Sequence, residues 1–320
     1  MIVTKIPLRI SLAGGGTDLP AYYKEREYGE VISFSINKYI YITSSKFHDP
    51  NVYNFKYSEI EEVHDYSLFK NPIVREVLKY FKIQPGYQYT SVSSVPGGTG
   101  LGSSSAFTTA LIANLAERMN KPISQYEAAS LAAHIELDCL GEPIGKQDQF
   151  GCAIGGIKRI RFSNQKVSIT PIELSYEKEC KLMKNLILVR VGLIRSASDI
   201  LRSIQKSPDI NFTKLDQIRE QVNSMVEFVS EVDIPQIGRN LHKNWMIKKT
   251  LDNGVSDTEI DALYEKMVPK YAYGGKLLGA GGSGFFLFVL KDTNSIQELP
   301  SNISVSRVNI DKYGLNTFKL

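Results

Sequence analysis

The residues best placed to do chemistry are the glycines and serines of Ser93–Ala106, SSVPGGTGLGSSSA. A β-rich stretch leads into Pro96, then Gly97, Gly98, Gly100 and Gly102. Ser103, Ser104 and Ser105 then open a run of good helix formers. Glycine lets a backbone approach a ligand closely and take φ > 0. A helix start offers unpaired N–H groups and the positive end of the helix dipole. Together these make an anion site suited to phosphates, to which serine hydroxyls add donors and a ligand for Mg²⁺. A plain glycine turn with serine caps has the same local pattern. The stretch lacks Gly-Lys-Ser/Thr, so it is not a Walker A loop, and its Gly98-x-Gly100-x-Gly102 spacing fails the dinucleotide fingerprint. A later loop, Leu278–Phe285 (LGAGGSGF), does match GxGxxG at Gly279, Gly281 and Gly284. It runs into the apolar FFLFV rather than a helix, which is the wrong context for a dinucleotide site.

These loops need elements to hold them. Ile2–Ala13 reads as a strand entering the turn Gly14–Gly16, and Val31–Thr43 is β-branched and aromatic, as strands are. Ile73, Val77, Leu78 and Phe81 predict a helix over Pro72–Ile83, and Tyr87–Val95 predicts a strand. Helices are expected at Ser103–Met119 and Ser124–Leu140, the second with Ser124 as N-cap and Glu127 completing a capping box. Gly145–Thr170 suggests turns and hairpins, and the charged Glu173–Lys184 reads as a linker. Beyond it come a strand at Leu186–Val191, helical patterns at Ser196–Gln205, Phe212–Ser230, Gln236–Leu251 and Asp257–Met267, and a strand at Phe285–Leu290. Ile303–Asn309 and Thr317–Leu320 are further strand candidates. The order predicts two mixed α/β layers joined near residue 180.

With 320 residues, two domains are expected. Hydrophobic residues make up 42% and charged residues 22%, the balance of a globular protein. A net charge of +4 without a basic block argues against nucleic acid and suits an anionic substrate. Cys139, Cys152 and Cys180 lack CxxC spacing, so they are expected to be packing residues rather than a disulfide or zinc framework. The N-terminus lacks a signal-peptide pattern and no apolar stretch is long enough to span a membrane, so a cytoplasmic location is expected.

Three segments now stand in order: LRISLAGGGTDLP at Leu8–Pro20, VPGGTGLGSSSA at Val95–Ala106, and GGKLLGAGGSGFFLF at Gly274–Phe288. Together they resemble the three signature motifs of the GHMP kinase superfamily of galactokinase, homoserine, mevalonate and phosphomevalonate kinases. The resemblance implies an α+β fold of two domains, ribosomal-protein-S5-like over 1–178 and ferredoxin-like over 179–320, with the active site between them. It implies ATP and Mg²⁺. The ATP phosphates are then wrapped by Pro96, Gly97, Gly98, Thr99, Gly100, Leu101, Gly102, Ser103, Ser104 and Ser105. AAHIELDCLGEPIGKQDQ at Ala132–Gln149 is similar to the galactokinase region that supplies a magnesium ligand and a base. By that likeness Ser104 and Glu136 hold Mg²⁺, Asp148 is the base and Arg9 pairs with it. Asp18, with Gly15, Gly16 and Thr17, would hold the sugar. Galactokinases have a glutamate and a histidine where this chain has Gly15 and Gly16, which weighs against galactose.

VGLIRSASDIL at Val191–Leu201 and LHKNWMIKKTLDNGVS at Leu241–Ser256 resemble the heptose-phosphate kinase branch more narrowly. The resemblance implies transfer to the anomeric hydroxyl of D-glycero-D-manno-heptose 7-phosphate, towards a GDP-activated heptose. An acceptor that carries a phosphate needs a second anion site, for which Lys146, Arg195, Lys248 and Lys249 are candidates, with Gly281 and Gly282 also at the substrate. His242, Trp245 and Lys249 share one side of a helix, as packing residues also would. An L-fucose or other free-sugar kinase and a non-catalytic relative are the alternatives. The partners expected are ATP and a sugar phosphate, without nucleic acid or membrane, and a homodimer is open.

Overall fold

A computed structural model describes residues 1–192, 197–205, 208–300 and 303–320. β1 (Ile2–Ala13) buries Ile6, Leu8, Ile10 and Leu12 on one face, while Arg9 and Ser11 line a cleft on the other. That is the two-residue period of a strand. After α1 (Pro20–Glu25) comes the 19-residue β2 (Tyr28–Lys46), which pairs along β1 with bulges at Pro7/Leu8 and Ser11/Ala13. β3 (Tyr53–Lys56), β4 (Ile60–Val63), α2 (Pro72–Phe81) and β5 (Tyr87–Ser93) follow. Next come α3 (Ser103–Arg118), α4 (Gln125–His134), a π-helical turn at Ile135–Cys139, α5 (Gln147–Ala153), β6 (Ile157–Ser163) and β7 (Val167–Pro171). α3 is buried nearly all round, and its alanines let it pack closely on the sheet.

The second half starts with α6 (Tyr176–Asn185) and β8 (Leu186–Val191), then α7 (Ala197–Gln205), α8 (Pro208–Glu231), α9 (Ile234–Lys248) and α10 (Thr258–Met267). β9 (Ala272–Leu277), β10 (Gly284–Leu290), β11 (Val305–Ser306) and β12 (Asn316–Lys319) complete it. The described strands form an eight-stranded sheet with the path β12-β1-β2-β5-β3-β4, from which β6 and β7 branch at β2, and a four-stranded sheet β11-β8-β10-β9. α9 lies directly on β9, where a Cβ on Gly274 would meet the Gly238 carbonyl oxygen at 2.0 Å. We propose 1–178 and 179–320 as the two domains. The last strand crosses back to pair with Ile2–Lys5 of β1.

Several expectations are corrected. Glu173–Lys184 is not a linker but mostly α6, because Ser175 caps it and Leu182 and Met183 bury. The helix expected through Leu140 changes at Ile135 to a π turn, although the Ser124–Glu127 capping box is present. The strand expected over Ile303–Asn309 shrinks to Val305–Ser306. Cys152 is buried as expected, but Cys139 is exposed, with its Sγ 3.7 Å from His134 Nε2. None of the described helices is long and apolar enough to cross a membrane.

Candidate active site

A cleft of about 530 Å³ is lined from both halves of the chain, by Arg9 and Ser11 of β1 and by Asn244, Lys248 and Lys276 of α9 and β9. β12 covers the outer edge of β1 only as far as Lys5. Further along that strand Arg9 donates its backbone N–H to the Leu101 carbonyl at 3.1 Å, which docks the glycine loop beside it. Gly98, Gly100 and Gly102 are left-handed, with φ of 72°, 74° and 78°. Gly98, Gly100, Gly102 and Ser103–Ser105 line the cleft at the start of α3. A Cβ on Gly100 would lie 2.6 Å from the Leu278 carbonyl oxygen, and one on Gly279 2.5 Å from Gly100 Cα. The two glycine loops therefore interlock backbone against backbone, and this close approach is what the later loop's glycines serve. Leu101 and Thr99 are buried, and Thr99 donates to the Pro96 carbonyl, so they shape the loop rather than face the cleft.

Arg9 and Asp148 are 139 residues apart in sequence and paired in space. Arg9 donates from Nε to Asp148 Oδ1 at 2.8 Å, and its Nη2 makes an ion pair with the same oxygen at 2.7 Å. Its Nη1 donates to the Gly100 carbonyl at 2.8 Å, tying the pair to the glycine loop. The Asp148 side chain is 29% exposed towards the cleft, and its Oδ2 has no partner among the described residues. This leaves one carboxylate oxygen able to accept a proton from a ligand.

Glu136 sits in the π turn and is buried. Its Oε2 accepts from Ser105 Oγ at 2.8 Å and Gln149 Nε2 at 2.5 Å, and its Oε1 from Thr108 Oγ1 at 2.6 Å. Burial pushes its carboxyl up to about 7, against the pull of those donors. A carboxylate has about four lone-pair sites, so one stays open on Oε1. Ser104 is exposed on the same wall. Among the described residues no group of three or more His, Cys, Asp or Glu could hold a metal. One hydroxyl and one carboxylate nevertheless fit a hard cation that takes its remaining ligands from phosphate and water.

Asp18 lines the cleft but is engaged within the protein. Its Oδ1 accepts from Gly16 N–H at 3.0 Å and Gln147 Nε2 at 3.1 Å, and its Oδ2 from Gln147 N–H at 3.0 Å. It thus latches the Gly14–Asp18 loop to the segment carrying Asp148. Burial first, and Asp148 nearby, push it up to about 6. Thr17 is buried, and its hydroxyl donates to the Gly14 and Glu30 carbonyls, so it pins the loop instead of facing a sugar. Gly15, Gly16 and Gly281 line the cleft, whereas Gly282 donates to the Val255 carbonyl at 2.9 Å. Lys146 does not line it. Its ammonium sits 5.5 Å from the Tyr23 ring, and the residue borders a separate small cleft with His134 and Asp138. Arg195 lies outside the described residues.

The helix segment expected at the substrate divides. His242 Nδ1 lies 2.8 Å from the Tyr264 hydroxyl, Trp245 is buried against Tyr264 and Phe286, and Lys249 pairs with Asp261 at 3.5 Å. His242 and Trp245 serve packing, and Lys249 is held in a partly exposed ion pair. Lys248 reaches the cleft instead, and its ammonium donates to the Leu277 and Gly279 carbonyls at 2.7 and 2.6 Å. Sequence reasoning passed over Lys276, Asn244 and Gln147. Lys276 could have been flagged inside GGKLLGAGGSGF, and Asn244 as the residue one helical turn before Lys248.

A glycine cradle at a helix start, beside a carboxylate that can take a proton, is the arrangement of a nucleotide-dependent phosphotransferase. Residues 67–156 match the family described as GHMP kinases N terminal domain. The chain is 30% identical to D-glycero-alpha-D-manno-heptose 7-phosphate kinase of Campylobacter jejuni subsp. jejuni serotype O:2, over 91% of this chain and 90% of that protein. It is 25% identical to L-fucokinase/L-fucose-1-P guanylyltransferase of Bacteroides fragilis, over 89% of this chain and 34% of that larger protein. The solved structure of a D-glycero-D-manno-heptose 1-phosphate kinase from Bacteroides thetaiotaomicron superposes with a TM-score of 0.80 at 21% identity, covering 100% of this chain and 99% of that one. The chain belongs to the GHMP kinase superfamily, with its two-domain α+β fold. It is an ATP-dependent sugar kinase.

Proposed function

We propose that the chain transfers the γ-phosphoryl group of ATP to the anomeric hydroxyl of D-glycero-D-manno-heptose 7-phosphate, giving the 1,7-bisphosphate on the way to a GDP-activated heptose. The observation that carries the chemistry is the Arg9–Asp148 pair, with Oδ2 open to the cleft beside the start of α3. The likeness to the Campylobacter kinase supports the choice of sugar.

In this reading the glycine loop and the first N–H groups of α3 hold the ATP phosphates. The acceptor oxygen bonds to the γ-phosphorus as the bond to the β–γ bridging oxygen breaks, and ADP leaves with that electron pair. The hydroxyl proton passes to Asp148 Oδ2. Arg9 fixes the carboxylate through Oδ1, so the free oxygen faces the substrate. Ser104 and Glu136 would hold Mg²⁺, which supplies charge neutralisation for the phosphoryl oxygens when bound. Glu136→Gln keeps the shape, and its amide oxygen can still accept from Ser105 and Gln149, but the amide NH2 that replaces Oε1 cannot accept from Thr108 or ligate a cation. The substitution should raise the Mg²⁺ concentration for half-maximal activity by about tenfold or more, the loss that even an outer-shell partner causes at a metal site. An unchanged magnesium titration would remove Glu136 from the metal site.

The test of the substrate is a turnover panel of heptose 7-phosphate, free heptose, mannose and L-fucose. The expected order puts the phosphorylated heptose first in kcat/KM by at least about tenfold, the worth of one charge-assisted contact. The fucokinase likeness makes L-fucose the competing acceptor. Equal kcat/KM for L-fucose and heptose 7-phosphate would overturn the assignment in favour of a free-sugar kinase.

A further inference from the structure

The α9–β9 side of the cleft carries donors that the reaction above leaves unused. Lys276 on β9 is 3% exposed, lines the cleft, and has no acceptor among the described residues. Asn244 on α9 is 1% exposed and lines the same cleft, and its Nδ2 is buried without a partner among the described residues. The Oγ of Ser11, on the β1 side, is likewise buried and unpartnered.

Lys248, one helical turn after Asn244, holds the chain just beyond Lys276 through the Leu277 and Gly279 carbonyls. Its ammonium is engaged there, so it braces this wall and leaves Lys276 as the available cation of the wall among the described residues. Burial, then the positive charges of Lys276 and Arg9, push Lys248 down, while burial and Arg9 push Lys276 down to about 7. A buried ammonium with neither an acceptor nor a counter-charge is costly, and so is a buried amide donor left unpaired. Both costs vanish when an oxyanion with several acceptor atoms enters. A neutral sugar hydroxyl could pair with Asn244 but could not neutralise Lys276.

We propose that Lys276 and Asn244 form a phosphate subsite on the α9–β9 wall, distinct from the glycine loop, that takes a terminal phosphate dianion. The inference deepens the sugar-phosphate reading and rests on it for one of two sources of that dianion. The sources are the phosphate the acceptor already carries and the terminal phosphate of ATP.

The test uses full-length Lys276→Met and Asn244→Asp. Lys276→Met keeps the length of the stem and removes a buried charge, so its thermal unfolding should match or exceed wild type. Asn244→Asp is close to isosteric and sets a carboxylate against the dianion. Calorimetric Kd for ATP, ADP and inorganic phosphate is measured alongside KM for heptose 7-phosphate and for free heptose. A KM for the sugar phosphate raised roughly 10–100-fold, with free heptose and ATP unchanged, places the acceptor's phosphate on Lys276. A raised Kd for ATP with unchanged ADP places the terminal phosphate of ATP there. Either result supports the subsite, and Asn244→Asp should follow in the same direction. Values within twofold of wild type for every phosphate ligand in both folded variants overturn it. If the wild type does not turn over heptose 7-phosphate at all, the substrate reading fails. The ATP, ADP and inorganic phosphate measurements then decide the subsite alone.

Discussion

Asp148→Asn should lower kcat by about 10²–10⁴-fold, the usual worth of a positioned general base. The asparagine can keep Oδ1, which takes the Arg9 Nε hydrogen bond and faces Nη2 in the wild type, so the pair's geometry persists. What changes is Oδ2, which becomes an amide that donates and cannot accept the hydroxyl proton. The nucleotide sits on the glycine loop and not on this oxygen. Calorimetric Kd for ATP should therefore stay within about twofold, a change well under the 1.4 kcal/mol that a factor of ten represents. A kcat near wild type removes Asp148 from proton transfer. A large loss of ATP affinity would instead make it a binding residue.

Gly100→Val should abolish tight nucleotide binding and destabilise the fold together. The residue is left-handed at φ 74°, and its Cβ would meet the Leu278 carbonyl oxygen at 2.6 Å, backbone that has no side-chain rotamer to yield. The left-handed conformation alone costs a β-branched residue roughly 1–3 kcal/mol. The clash adds to this, because relieving it means separating the two glycine loops. ATP affinity should fall by at least about one to two powers of ten, with a clear drop in Tm. Gly97→Ala is the control for stability. A Cβ there meets nothing within 4 Å, and Gly97 has no positive φ. Its unfolding free energy should change by less than about 0.5 kcal/mol. Normal ATP affinity in Gly100→Val would show that the interlock does not shape the phosphate site.

Features set by a few neighbouring residues are legible in the amino acids alone. The left-handed glycines, the serine-opened helix α3, the capping box at Ser124 and the period-two face of β1 all appear where the residues predict them. Each depends on a local φ requirement, a hydrogen bond over three residues or a simple alternation. The ordered motifs also led to the kinase family, and the pairing of Arg9 with Asp148 followed from that likeness rather than from spacing.

Which polar groups stay free depends on long-range packing. Asp18 looks available as a carboxylate after a glycine turn, yet Gly16 and Gln147 occupy it, the latter 129 residues away. Lys146 and Lys248 are equivalent as basic residues in family-like segments. One lies over Tyr23 beside a second cleft, and the other is buried on carbonyls of the later glycine loop. Lys276 gave no periodic signal, because what singles it out is the absence of a partner among the described residues after α9 has packed on β9. Whether a donor is satisfied depends on every element that packs around it, and those elements come from distant parts of the chain. Local sequence therefore fixes where a backbone can turn and cap, while packing fixes which charges remain for a ligand.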